Sequence, residues 1–94
     1  MLTYKASYKF IDGYFHGEVL DFPGTISFGA EMEEAKRMLA SALVTMAETN
    51  LLRGEPLPRP DPSLSDPDAD LEESIYLLLS AASRVIVVPQ GAVA

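Results

Sequence analysis

Residues 4–29 read YKASYKFIDGYFHGEVLDFPGTISFG, and their pattern decides the fold. Tyr4, Ala6, Tyr8 and Phe10 alternate with Lys5, Ser7 and Lys9, the two-residue period of a strand that buries one face. Asp12-Gly13 follows and suits a type I′ hairpin turn, whose central residues take positive φ. A second strand is predicted from Tyr14 to about Leu20. Phe22-Pro23-Gly24-Thr25 then puts proline and glycine at the two central positions of a type II turn. A short third strand, Thr25 to Phe28, is closed by Gly29. The three strands form an antiparallel meander.

Outward from the meander, Met32, Ala35, Leu39, Ala42, Leu43, Met46 and Ala47 recur at helical spacing between Glu31 and about Arg53. One amphipathic helix is predicted to cover one face of the sheet. Glu31, Glu33 and Glu34 suit its positive N-terminal end, and Arg53-Gly54 suits its close. Met32, Met38 and Met46 are expected in core packing, although three methionines on one helix also fit a plastic binding surface. Five of the seven prolines, with Asp61, Asp66, Asp68 and Asp70, fall between Gly54 and Asp70. Proline lacks the amide donor and aspartate favours local turns, so residues 54–70 are predicted to be an extended, exposed connector. Beyond it, Ser74 to Leu79 reads as a buried strand or a turn of helix, with addition to the sheet the expected outcome, and Arg84 to Val88 reads as a strand. Pro89 stops that strand, and the tail 90–94 is expected to fray. The predicted class is α+β: a three-stranded antiparallel meander plus C-terminal strand(s) packed on one helix, in a single domain of residues 1–94.

The chain has 94 residues and a formal charge of −7, from 7 Lys and Arg against 14 Asp and Glu. The charge is uneven: residues 1–53 hold 7 acids and 5 bases, residues 54–94 hold 7 acids and 2 bases. A negative field repels phosphate backbones, which disfavours direct nucleic-acid binding by this chain. With no Cys and one His, the sequence offers neither a disulfide framework nor a thiolate or multi-histidine metal site. No cofactor is implied. The N-terminus alternates where a secretory signal would have a continuous apolar stretch, and no run reaches the roughly 18 apolar residues of a membrane span. These features predict a cytoplasmic location without membrane association.

Read in order, Asp12-Gly13-Tyr14, Asp21-Phe22-Pro23-Gly24, Ser27-Phe28-Gly29, Glu33-Glu34-Ala35 and Gly54-Glu55-Pro56-Leu57-Pro58 resemble the HicB antitoxin family. Its motifs run as a D-G-Y turn, a D-x-P-G turn, a glycine four to five residues on, an E-E-A helix start and a G-x-x-[IL]-P exit. Asp12, Gly13, Tyr14, Asp21, Pro23, Gly24, Gly29, Glu34 and Ala35 carry the motif positions. The resemblance implies a partial RNase H-like fold, βββαβ. It also implies a partner, the basic toxin HicA, which cleaves mRNA and is neutralised when the antitoxin covers its active surface. Leu20 stands where the family usually has proline. Glu31 stands where it usually has a threonine cap, a loss of about 1 kcal/mol. Arg84 to Pro89 looks like the strand that opens a ribbon-helix-helix segment, but the helices of such a DNA-binding domain do not follow in this sequence. Operator binding is therefore not expected.

A two-metal nuclease would need clustered carboxylates, and the first strand has none. Catalysis is not expected. Tyr14, His16 and Glu18 share one strand parity, so they project from one face as candidate partner contacts, although ordinary exposed strand residues would look the same. Arg84, Val85, Ile86, Val87 and Val88 resemble an unpaired edge that a second subunit could complete, giving a dimer or tetramer. The acidic connector either mimics RNA toward a basic toxin or simply stays solvated. Two functions follow as expectations: a HicB-like antitoxin without its DNA-binding domain, or a solitary homo-oligomeric interaction module with no toxin.

Overall fold

A computed structural model of the protein describes residues 1–79 and 85–88. In chain order the elements are β1 (Leu2–Ile11), β2 (Tyr14–Val19), β3 (Ile26–Gly29), α1 (Met32–Leu52), β4 (Leu71–Leu79) and β5 (Val85–Val88). All strand pairs are antiparallel, in the order β3-β2-β1-β4-β5. The class is α+β, as the sequence predicts. Residues 74–79 resolve to strand: β4 starts earlier, at Leu71, after the Asp70 amide bonds the Tyr8 carbonyl at 2.8 Å.

Both turns take their expected form. Asp12 and Gly13 have φ of 51° and 85°, and the β1–β2 register runs from Ile11 opposite Tyr14 to Ala6 opposite Val19. At the second turn Gly24 has φ of 90° and the Thr25 amide donates to the Phe22 carbonyl at 3.2 Å, the type II arrangement that glycine permits. Thr25 thus belongs to the turn, and β3 occupies Ile26–Gly29, one residue later than predicted. β2 stops at Val19 because the Phe22 amide folds back onto the Val19 carbonyl at 3.1 Å.

The core lies between α1 and one face of the sheet, where Tyr4, Ala6, Tyr8 and Val19 meet Ala35, Leu39, Leu43 and Ala47, with Phe22, Ile75 and Leu77 beside them. Phe10 departs from the predicted buried face. The core ends at Tyr8, and Phe10 is 54% exposed with its ring 4.8 Å from that of Phe15. At the helix start Glu31 makes no side-chain cap; Glu34 reaches back instead to accept the Ala30 amide at 3.1 Å. At its end the Gly54 amide bonds Leu51 and the Glu55 amide bonds Asn50, the paired pattern of a Schellman close.

The connector is extended and largely exposed, but it is not loose. Asp61-Pro62-Ser63-Leu64 and Asp66-Pro67-Asp68-Ala69 each close a turn, with the Leu64 and Ala69 amides donating to the Asp61 and Asp66 carbonyls. Aspartate first and proline second is the composition such turns favour. Between these turns the connector crosses the sheet face opposite α1. Lys5 Nζ donates to the carbonyls of Pro62 and Leu64 at 3.3 and 2.6 Å, and Lys9 Nζ lies 2.7 Å from Asp66. It is a strap on the outer face of β1.

Candidate functional site

The outer sheet face is set by register. Lys9 stands opposite His16, which stands opposite Phe28; Ser7 stands opposite Glu18, which stands opposite Ile26. Tyr14, His16 and Glu18 therefore share this face with Ile26 and Phe28 and with Ile11 across from Tyr14. The apolar members are open to solvent: Ile26 is 67% exposed, Phe28 65% and Tyr14 49%. Tyr14 and Phe28 meet edge to face with centroids 6.2 Å apart, and His16 lies 6.5 Å from Phe28. The result is a continuous aromatic and aliphatic patch at the β2–β3 end of the sheet, an arrangement that suits contact with another protein.

Lys5 and Lys9, the bases of this face, are engaged by the strap, and Lys9 also feels the charge of Glu18; Glu18 and the turn residue Asp12 are exposed and make no close salt bridge among the described residues. The strap's contacts shift the groups that make them. The hydrogen bond from Lys9 holds the Asp66 carboxyl below its usual range, and the same bond raises Lys9. Asp61 is also lowered, chiefly by its bonds from Ser63. On the opposite face burial pushes the Tyr8 phenol up, helped by Glu73 and Glu33.

The predicted motif positions divide by role. Asp21 is buried, and its two carboxylate oxygens accept the amides of Lys5 at 2.9 Å and Asp61 at 3.0 Å, so it ties the strap to the start of the sheet. Gly29 lets the helix start close in: a Cβ there would lie 2.8 Å from the Ala35 amide nitrogen. Asp12, Gly13, Pro23 and Gly24 shape turns, and Ala35 is buried in the core. Of the expected pairing strand, Arg84 lies outside the described residues, as do Pro89 and the tail, while Val85–Val88 form the outer strand beyond β4.

Ile26 and Phe28 were not singled out by the sequence, although carrying the hairpin register across the second turn places them beside Glu18 and His16. Met38 corrects the expectation of core packing. Met32 and Met46 pack partly against the core, but Met38 is 51% exposed, because it sits one position off the Ala35-Leu39-Leu43 stripe. With Ile26, Phe28, Ala42 and Met46 it lines a groove of about 700 Å3 between β3 and α1. Among the described residues no group of three or more His, Cys, Asp or Glu could hold a metal ion, and no helix is long and apolar enough to cross a membrane.

No family model matches the sequence, and no curated protein matches it. Among solved structures, the N-terminal domain of the Burkholderia pseudomallei antitoxin HicB matches with a TM-score of 0.67 and 20% identity, covering 83% of this chain and 100% of that one. The fold of this chain is similar to that of the HicB N-terminal domain.

Proposed function

We propose that the protein is a HicB-like antitoxin: a cytoplasmic, noncatalytic protein that binds a basic HicA-type mRNA-cleaving toxin and covers its active surface, without binding DNA itself. The observation that carries this reading is the outer face of β2 and β3, where Tyr14, His16, Ile26 and Phe28 lie exposed beside Asp12 and Glu18. Exposed aromatics supply the apolar area of a protein contact. Exposed acids beside them favour a basic partner, since charge complementarity governs encounter and partner choice. The likeness to an antitoxin domain supports the same reading.

The test begins with the reading frame next to the gene. Co-expression with a small basic neighbour should relieve the growth arrest that the neighbour causes alone, and the two proteins should co-purify. Failure to form a complex at micromolar concentration would overturn the antitoxin reading. A solitary self-associating module is the second reading, favoured by a sheet whose outer strands, β3 and β5, each leave one edge unpaired among the described residues. The absence of any basic neighbouring frame would favour it.

A further inference from the structure

The free edge of β3 offers main-chain groups whose direction is fixed by the sheet. The Val19 amide donates to the Thr25 carbonyl at 3.0 Å, and the register continues with Gly17 opposite Ser27 and Phe15 opposite Gly29. Bonded positions alternate in an antiparallel pair, so the main-chain groups of Thr25, Ser27 and Gly29 face β2 and those of Ile26 and Phe28 face outward. β3 is the last strand on its side of the sheet, and residues 25–30 contain neither the charge nor the proline that usually guards such an edge. The edge is also held from behind, since the Ser27 hydroxyl donates to the Ala35 carbonyl at 2.9 Å. A binding strand would meet it already ordered.

We propose that the basic partner attaches by adding an extended strand to this edge, with its cationic side chains on the outer face and uncharged apolar ones facing α1. The partner's basic character rests on the antitoxin reading, whereas the mode of attachment comes from the edge itself. Charge sorts the two sides of the added strand. On the outer face, a side chain beside Ile26 stands two strand spacings, roughly 10 Å, from Glu18. A lysine or arginine stem bridges that gap while covering the apolar Ile26, and a cation beside Phe28 lies within reach of its ring. On the other face, the position beside Ser27 opens on the groove lined by Met38, Ala42 and Met46. Arg37 in that lining has no ion pair among the described residues, and Glu34, its one carboxylate, already accepts the Ala30 amide. A cation is thus attracted on the outer side and repelled on the groove side. The two-residue alternation of a strand meets both demands. A partner laid flat on the outer face would leave the outward main-chain groups and the groove unused.

The probe is a short capped peptide of alternating arginine and valine, with a block-ordered peptide of the same composition as control. Titrated into the full chain, the alternating peptide should bind about tenfold more tightly than the block peptide, and it should slow hydrogen exchange at the Ile26 and Phe28 amides. Ile26→Pro removes an outward amide at an edge position where proline is tolerated, and Ile26→Ala keeps it. The proline variant should therefore bind the alternating peptide about tenfold more weakly than the alanine variant, with an unchanged circular dichroism spectrum. If the proline variant misfolds, amide exchange in the wild-type chain decides. Equal affinity for the two peptides, equal losses in folded proline and alanine variants, or protection that falls on Val85–Val88 instead overturns the strand addition. So does slow exchange at Ile26 and Phe28 in the chain alone, which would put a second copy at this edge. Relief of growth arrest on co-expression depends on none of these readouts, so the antitoxin reading stands or falls separately.

Discussion

Asp21 is 6% exposed and holds two amides from segments that lie 16 and 40 residues away in sequence. Removing such an acceptor leaves partly buried donors without partners, each costing about 1–3 kcal/mol. Asp21→Ala should therefore lower unfolding stability by about 3 kcal/mol in urea titrations, and Asp21→Asn, which keeps one acceptor oxygen, by less. Equal losses would show that the double acceptor is not what matters. The turn around Asp21 was legible in Pro23 and Gly24, because turn chemistry is local. Its clamp was not, because the partner amide of Asp61 arrives only through tertiary folding. Thr25 makes the opposite case: it is fully buried and its hydroxyl has no partner among the described residues. Thr25→Val removes that unmet group at nearly constant shape and should stabilise by about 1 kcal/mol; a loss of stability would reveal a bond to water at the hydroxyl.

At the scale of elements, the strap is where sequence reading reached composition but not location. Prolines and aspartates announced turns at Asp61 and Asp66, yet nothing local showed that the connector crosses Lys5, Ser7 and Lys9 on the outer face. Its pH behaviour follows from the Lys9–Asp66 contact. The folded carboxyl lies below its ordinary value of 3.8, so its contribution is complete above that value and is lost as pH falls through the folded pKa. Lys9 lies above its ordinary 10.5, so its contribution is complete below that value and is lost as pH rises through the folded pKa. Asp66→Asn should therefore unfold at lower urea than wild type by a margin that is constant from about pH 5 to 9 and closes in strong acid. A margin that persists in strong acid would mean that the strap is held by its turns and not by the ion pair. The helix shows the same division between local and tertiary information. Its buried stripe and its glycine close were legible in periodicity, while the exposure of Met38 depends on where the edge of the sheet falls beneath it.

For the whole molecule, the order β3-β2-β1-β4-β5 makes the first strand the centre of the sheet. The alternation in β1 gave the strand, but its central place required β4 to return across the strap. That topology also sorts the charge. The strap, in the acidic second half of the chain, engages the lysines of the outer face and leaves Asp12 and Glu18 at the aromatic patch. Under the proposed antitoxin function, binding of a basic toxin at this patch should therefore separate into two kinetic parts. Exposed charges act mainly at encounter and are screened over about 8–10 Å at 0.1–0.15 M salt, so raising salt or replacing Asp12 and Glu18 by Asn and Gln should slow association. Buried aromatic contacts act mainly on dissociation, so Tyr14→Ala and Phe28→Ala should speed release by about tenfold or more each, equivalent to at least 1.4 kcal/mol. Both side chains are exposed in the free protein, 49% and 65%, so these truncations should leave its unfolding midpoint nearly unchanged. Surface-binding kinetics at two salt concentrations would resolve the two parts. If the aromatic truncations leave the release rate unchanged while the acid replacements abolish binding, the toxin docks by charge alone, and its contact surface lies away from β2 and β3.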